Sequence, residues 1–298
     1  MDNFKNIIKS SWWEEEDINS RDFYIQKYKN KLIDVHVDRL PDSSVLNMNK
    51  YNFLLLHEPN EFFGWHSRSL SHKEQFTAIL TWNDLVLNNC SNAIKFTYNG
   101  VTLDNDFVDS LKEKQFNISF LCGTKDLVEG HKLRHKVYEL ESQITIPKKW
   151  YYVLEDYDHK NNVRPGYGNY EKDLSHIPEG VDIIGYGRRV LFKNSMFNVV
   201  VENVIYNNWY NKIGDNFITK TVPIYWGCPN ISEFGYNERG IIRFETSEQL
   251  LEIINNLSPE KYYEMLPYIN HNYELVKSDT FKNNMVNFLD EFIKLNNI

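Results

Sequence analysis

The sequence predicts an α/β protein made of two Rossmann-like, doubly wound domains that face one cleft. Three observations carry this. Short apolar strands alternate with helix-period segments through both halves of the chain. In each half one strand runs straight into polar, ligand-type residues: His57-Glu58 in the first and Glu202-Asn203 in the second. In open parallel sheets ligands gather at such carboxyl ends. A charged stretch, residues 102–114, separates the halves, so the expected domains are 1–115 and 116–298, with the last helix in reach of the first.

Composition narrows the function classes. An apolar fraction of 42% over 298 residues is ample for a packed core. A net charge of -8 argues against a nucleic-acid partner. The three cysteines, Cys90, Cys122 and Cys228, show neither zinc spacing nor a disulfide framework, which favours a reducing compartment. No segment approaches the roughly 20 apolar residues of a membrane span, and the N-terminus lacks a signal-peptide core. A soluble, cytoplasmic protein without a transmembrane anchor is expected.

In chain order, Ser10 or Ser11 is placed to cap a first helix carrying Trp12-Trp13 and three glutamates. Ile33, Val35 and Val37 alternate with Asp34, His36 and Asp38, the pattern of a half-buried strand. Residues 53–56 are wholly apolar and read as a central parallel strand, leading into His57-Glu58-Pro59-Asn60-Glu61. Further strands are expected at 78–82 and 94–98. The second half restarts with a strand at 118–122. Gly130 then precedes a helix over 131–140, with Leu133, Val137 and Leu140 inward and His131, Lys132 and His135 on a solvated face. Arg134 lies near its start, and a guanidinium grips phosphate oxygens bidentately.

Residues 151–154 read as a strand, and the polar stretch 155–179 as a lid or binding loop. Another strand, 181–184, ends in Gly185-Tyr186-Gly187-Arg188-Arg189. Glycines there allow close backbone approach to an anion, with Arg188 or Arg189 to neutralise it. The chain is organised around residues 196–230. An apolar strand over 196–201 ends at Glu202-Asn203. A loop follows, then a helix with Trp209, Ile213 and Phe217 on one side, then a strand over 222–226 stopped by Gly227 and Pro229. A helix start at such a strand end suits a diphosphate. Beyond it come a strand at 241–244, helices started by Thr246-Ser247 and Ser258-Pro259, and a last helix with Met285, Phe288, Leu289 and Phe292 inward.

Glu202-Asn203, Lys212-Ile213 and Val222-Pro223-Ile224-Tyr225-Trp226-Gly227-Cys228-Pro229 resemble the signature of glycosyltransferase family ten, the α1,3-fucosyltransferases, in soluble microbial or viral form. The resemblance implies the two-domain GT-B fold and inverting transfer of fucose from GDP-fucose to a glycan acceptor hydroxyl. It implies Glu58 as general base, with His57 and Glu61 as acceptor-side candidates. On the donor side it implies Arg134, Gly187, Arg188, Glu202, Asn203, Asn211 and Lys212, with Glu202 and Asn203 on sugar or ribose hydroxyls. No metal or other cofactor is required by this chemistry, and a divalent cation at most stimulates it. The chain departs from the family pattern at Tyr210-Asn211-Lys212, where the family has Thr-Glu-Lys after a slightly longer loop, so that Asn211 stands in place of the family's glutamate. That keeps two alternatives open, a different nucleotide-sugar donor or a weakly active sugar-binding relative.

Overall fold

In the computed structural model, two all-parallel sheets form within two compact units, residues 1–97 with 282–298 and residues 98–281. The structure describes residues 8–10, 33–38, 40–41, 46, 51–97, 101, 113–123, 125–153, 188–279 and 281–297. The expected Trp12-Trp13 helix, the strand at 181–184, Gly187 and the segment 155–179 lie outside them.

In the first unit β1 (Ile8–Ser10), β2 (Ile33–Val37), β3 (Tyr51–Leu56), β4 (Ala78–Thr81) and β5 (Ala93–Lys95) lie side by side in sequence order. Between β3 and β4 come α1 (Asn60–Phe63) and α2 (Trp65–Ser69), and after β4 comes α3 (Asp84–Asn89). Side chains alternate across a strand. Leu54 and Leu56 therefore pack with Val86 and Cys90 of the α3 segment. Phe53 meets Phe288 and Phe292 of the chain's last helix edge-on, at 5.4 and 4.9 Å. With both faces covered, β2 is buried at every position, Asp34 and His36 included. The alternation had indicated only one buried face.

The second unit holds β6 (Gln115–Gly123), β7 (Lys148–Val153), β8 (Ser195–Val201), β9 (Val222–Trp226) and β10 (Ile242–Arg243) in the order β10-β9-β8-β6-β7. Its helices are α4 (Glu129–Glu139), α5 (Arg188–Phe192), α6 (Ile213–Ile218), α7 (Ser247–Asn255) and α8 (Pro259–Ser278), and α9 (Phe281–Asn296) leads back to the first unit. The chain steps outward from β6 to β7, then crosses over to β8 and continues the other way. The junction of β6 and β8 is therefore a topological switch point, where a parallel sheet opens a crevice at its carboxyl edge. Those edges end in Cys122-Gly123 and Val201-Glu202.

Every residue of β8, β9 and α6 is buried. In α6 this includes Asp215 and Asn216, where a one-sided apolar helix was expected. A polar seam accommodates Asn216: Ser119 Oγ donates to Asn198 Oδ1 at 3.0 Å, and Asn198 Nδ2 donates to Asn216 Oδ1 at 2.9 Å. Burying amides is tolerable when they satisfy one another. The caps form where the sequence placed them: Thr246 Oγ1 accepts from Gln249 N and Ser258 Oγ from Lys261 N. All three cysteines are buried and free. Among the described residues no helix is long and apolar enough to cross a membrane.

Candidate functional site

At the switch point two cations converge on one neutral oxygen. Arg134, on α4, donates through Nε and Nη2 to the Val201 carbonyl at 3.2 and 3.0 Å, and through Nη2 to Asn203 Oδ1 at 2.7 Å. Lys212, at the start of α6, donates through Nζ to the same Asn203 Oδ1 at 3.1 Å. The two charges thus lie within about 6 Å of each other. At an effective dielectric of about 20 they repel by on the order of 1–3 kcal/mol, less whatever solvent screens. Glu202 Oε2, 3.4 Å from Lys212 Nζ, offsets part of this repulsion, and Asn203 adds direction but no charge. The Lys212 side chain is 23% exposed and reaches solvent.

Glu202 organises this pair. Its carboxylate is wholly buried. Oε1 accepts from the backbone N–H groups of Asn211 and Lys212 at 3.0 and 2.8 Å, and Oε2 faces Lys212 Nζ at 3.4 Å. Tyr225 Oη lies 3.5 Å from Oε1 and itself accepts from Cys228 N at 3.0 Å. The wholly buried carboxylate faces Lys212 and two backbone N–H groups, and so positions Lys212. The N–H groups at the start of α6 already have an anion, Glu202 itself, so a diphosphate would rest on side-chain cations and not on that helix terminus. Asn211 takes part through its backbone.

Close packing makes this possible. A Cβ on Gly130 would stand 1.8 Å from the Glu202 carbonyl oxygen, and Gly130 N donates to the Asn203 carbonyl at 2.9 Å. Only a residue without a side chain lets α4 bring Arg134 against the end of β8. Likewise a Cβ on Gly227 would stand 2.5 Å from Glu202 Cγ.

The histidines of α4 are not a solvated face. His131 and His135 are 4% and 0% exposed, because each ties down the loop before the helix. Leu127 N donates to His131 Nδ1 at 3.2 Å, and His135 Nε2 pairs with the Lys125 carbonyl at 3.0 Å. Burial first, and then the field of Arg134 and Lys212, push His131 down to about 3. The imidazole is neutral in a locally positive site. Arg189 is buried at 2% exposure. Arg188 opens α5, with its side chain outside the described residues.

In the first unit Glu58 follows β3 and is half-buried, while Glu61, in the first turn of α1, is exposed. His57 is 9% exposed. The peptide groups of His57 and Glu58 are held by three buried side chains that the sequence reading had not assigned to a site. Asp38 Oδ1 accepts from His57 N and Glu58 N at 2.8 and 3.0 Å. Trp82 Nε1 donates to the His57 carbonyl at 2.7 Å, and His66 Nε2 to the Glu58 carbonyl at 2.9 Å. Burial, and secondly the Glu58 carboxylate, push Asp38 up to about 7. Burial holds His66 down at about 4, so it donates as a neutral imidazole. Asp38 follows the end of β2 and adopts φ 45°, a left-handed conformation that Asp tolerates better than most residues.

Among the described residues no group of three or more His, Cys, Asp or Glu side chains is placed to hold a metal ion.

Two parallel α/β units, one with its polar site at a switch point, define the GT-B fold class. No family model matches the chain, and no curated protein matches it in sequence. Among solved structures it is similar to the N-terminal domain of Candida albicans trehalose-6-phosphate phosphatase. That likeness has TM-score 0.52 and 15% identity, over 92% of this chain and 73% of that one. It is also similar to an α1,3-fucosyltransferase, at TM-score 0.49 and 14% identity over 93% and 91%. An α1,3-fucosyltransferase structure with GDP-fucose gives TM-score 0.47 and 15% identity over 93% and 91%. At 15% identity the likeness to the phosphatase domain is one of fold.

Proposed function

We propose that the chain is an inverting glycosyltransferase that takes its sugar from a nucleoside diphosphate donor, with GDP-fucose as the first candidate. The observation that carries this reading is the convergence of Arg134 and Lys212 on Asn203 Oδ1 at the switch point. Two cations held by hydrogen bonds at one point suit the charge that develops on a departing diphosphate, and such preorganised charge lowers the barrier. Glu58 is the proposed base: it takes the acceptor hydroxyl proton as the hydroxyl oxygen bonds to the anomeric carbon and the diphosphate leaves with the bonding pair. The leaving group's charge is met by side chains, so this reading calls for no metal. The motif from Glu202 to Pro229 supports fucose as the sugar, while Asn211 in place of a glutamate favours a different nucleotide sugar as the second reading.

The test is a thermal-shift screen of the purified protein against GDP, UDP, CMP and dTDP with their common sugar conjugates. Stabilisation by GDP and GDP-fucose supports the first donor, and stabilisation by another diphosphate pair supports the second. Lack of a shift with every diphosphate contradicts the site.

A further inference from the structure

The loop that carries Glu58 is anchored in an unusual way. Backbone groups of a strand-end loop normally find water or neighbouring backbone. Here both N–H groups and both carbonyls of His57 and Glu58 meet buried side chains from three separate places: Asp38 at the end of β2, His66 in α2 and Trp82 at the end of β4. Asp38, His66 and Trp82 are 3%, 0% and 3% exposed. Burying an acid, an imidazole and an indole around two peptide units is costly unless each hydrogen bond is kept. The backbone on either side of Glu58 Cα is thereby held, while its side chain stays half-exposed.

Resting on the reading of Glu58 as the base, we infer that Asp38 is a positioning residue for Glu58. Its single Oδ1 gathers the two successive N–H groups and fixes the direction in which the Glu58 carboxylate leaves the loop. His66 and Trp82 hold the opposite, carbonyl side. A general base gains its effect only within hydrogen-bond reach of the proton it takes, and a displacement of about 1 Å can cost about a hundredfold in rate. Asp38 is suited to the place twice over. It supplies a double acceptor, and its left-handed backbone lets it turn back from the strand end onto the neighbouring loop.

Two substitutions separate the acceptor from the backbone conformation. Asp38→Asn keeps an oxygen at the same position and tolerates positive φ; Asp38→Gly keeps the conformation and removes the acceptor. With turnover measured on the donor found in the nucleotide screen, Asp38→Asn should keep kcat within about threefold of the parent. Asp38→Gly should lose about ten- to a hundredfold in kcat with the donor KM within about twofold. Hydrogen exchange in a peptide covering residues 53–62 should quicken in Asp38→Gly and stay slow in Asp38→Asn. Full turnover in Asp38→Gly, equal losses in both variants, or a donor KM that rises in step with the kcat loss would each overturn the inference. Glu58→Gln, run beside them, keeps the two claims apart. If Glu58→Gln turns over fully, the base reading falls and takes Asp38 with it. If Glu58→Gln is inactive while Asp38→Gly is not, Asp38 alone is refuted.

Discussion

Gly130 lies so close to Glu202 that a Cβ would stand 1.8 Å from the Glu202 carbonyl oxygen. The contact is backbone against backbone, so no side-chain rotation can relieve it. Gly130→Ala must push α4 away from β8 and carry Arg134 with it. The expected cost is about 3 kcal/mol or more, read by chemical denaturation, together with weaker nucleotide binding in whatever protein still folds.

Tyr225 ties the turn after β9 to the site. Its hydroxyl accepts from the buried Cys228 N–H at 3.0 Å. Tyr225→Phe preserves the packing and strands that donor. A loss of about 1–3 kcal/mol is expected, measured by urea unfolding, and a loss below 0.5 kcal/mol, on the order of a surface substitution, would mean the donor finds another partner.

Acid should destabilise the protein through His131. Its folded-state value, near 3, lies below the unfolded value of about 6.5. The unfolded chain therefore binds the proton first. The stability is intact above about pH 6.5 and is lost as the pH falls towards the folded value. At pH 5 the loss is about 2 kcal/mol. His131→Asn keeps an acceptor for Leu127 N and removes the titration. Its melting temperature should therefore gain on the parent between pH 7.5 and pH 5, and parallel curves would contradict the assignment.

Glu58→Gln removes the proposed base and leaves the diphosphate site intact. Turnover should fall by about a hundredfold or more while donor affinity stays unchanged, as read by steady-state kinetics and calorimetry on the same preparation. Unimpaired turnover would dismiss Glu58 from the chemistry.

Much of the fold was legible because β3, β8 and β9 are short, apolar and rich in Val, Leu and Ile, and a strand buried on both faces needs little more. The caps Thr246 and Ser258 were legible because capping is a local interaction. The residues that meet at the switch point, Arg134, Asn203 and Lys212, were each singled out in the sequence. How they meet was not, since Arg134 and Asn203 are 69 residues apart. Periodicity misled at His131 and His135: polar residues on a helix were assigned to solvent, whereas both satisfy backbone groups of the preceding loop. Asp38 was read only as one position in an alternating strand. Its partners, His57 and Glu58, lie 19 and 20 residues on, and nothing local announces them. The partners of Glu202 Oε1 were hidden for the same reason, being N–H groups nine and ten residues later.

Arg134 and Lys212 together are proposed to form a diphosphate site, and calorimetry of nucleotide binding to the parent and to Lys212→Ala tests this. Glu202 keeps its two backbone donors in that variant, so the fold should survive. The best nucleoside diphosphate should bind about 10- to 100-fold more weakly to Lys212→Ala, the loss of one charge-assisted contact. The matching nucleoside, which has no phosphate, should bind both proteins alike. Equal diphosphate affinity in the two proteins would contradict the claim.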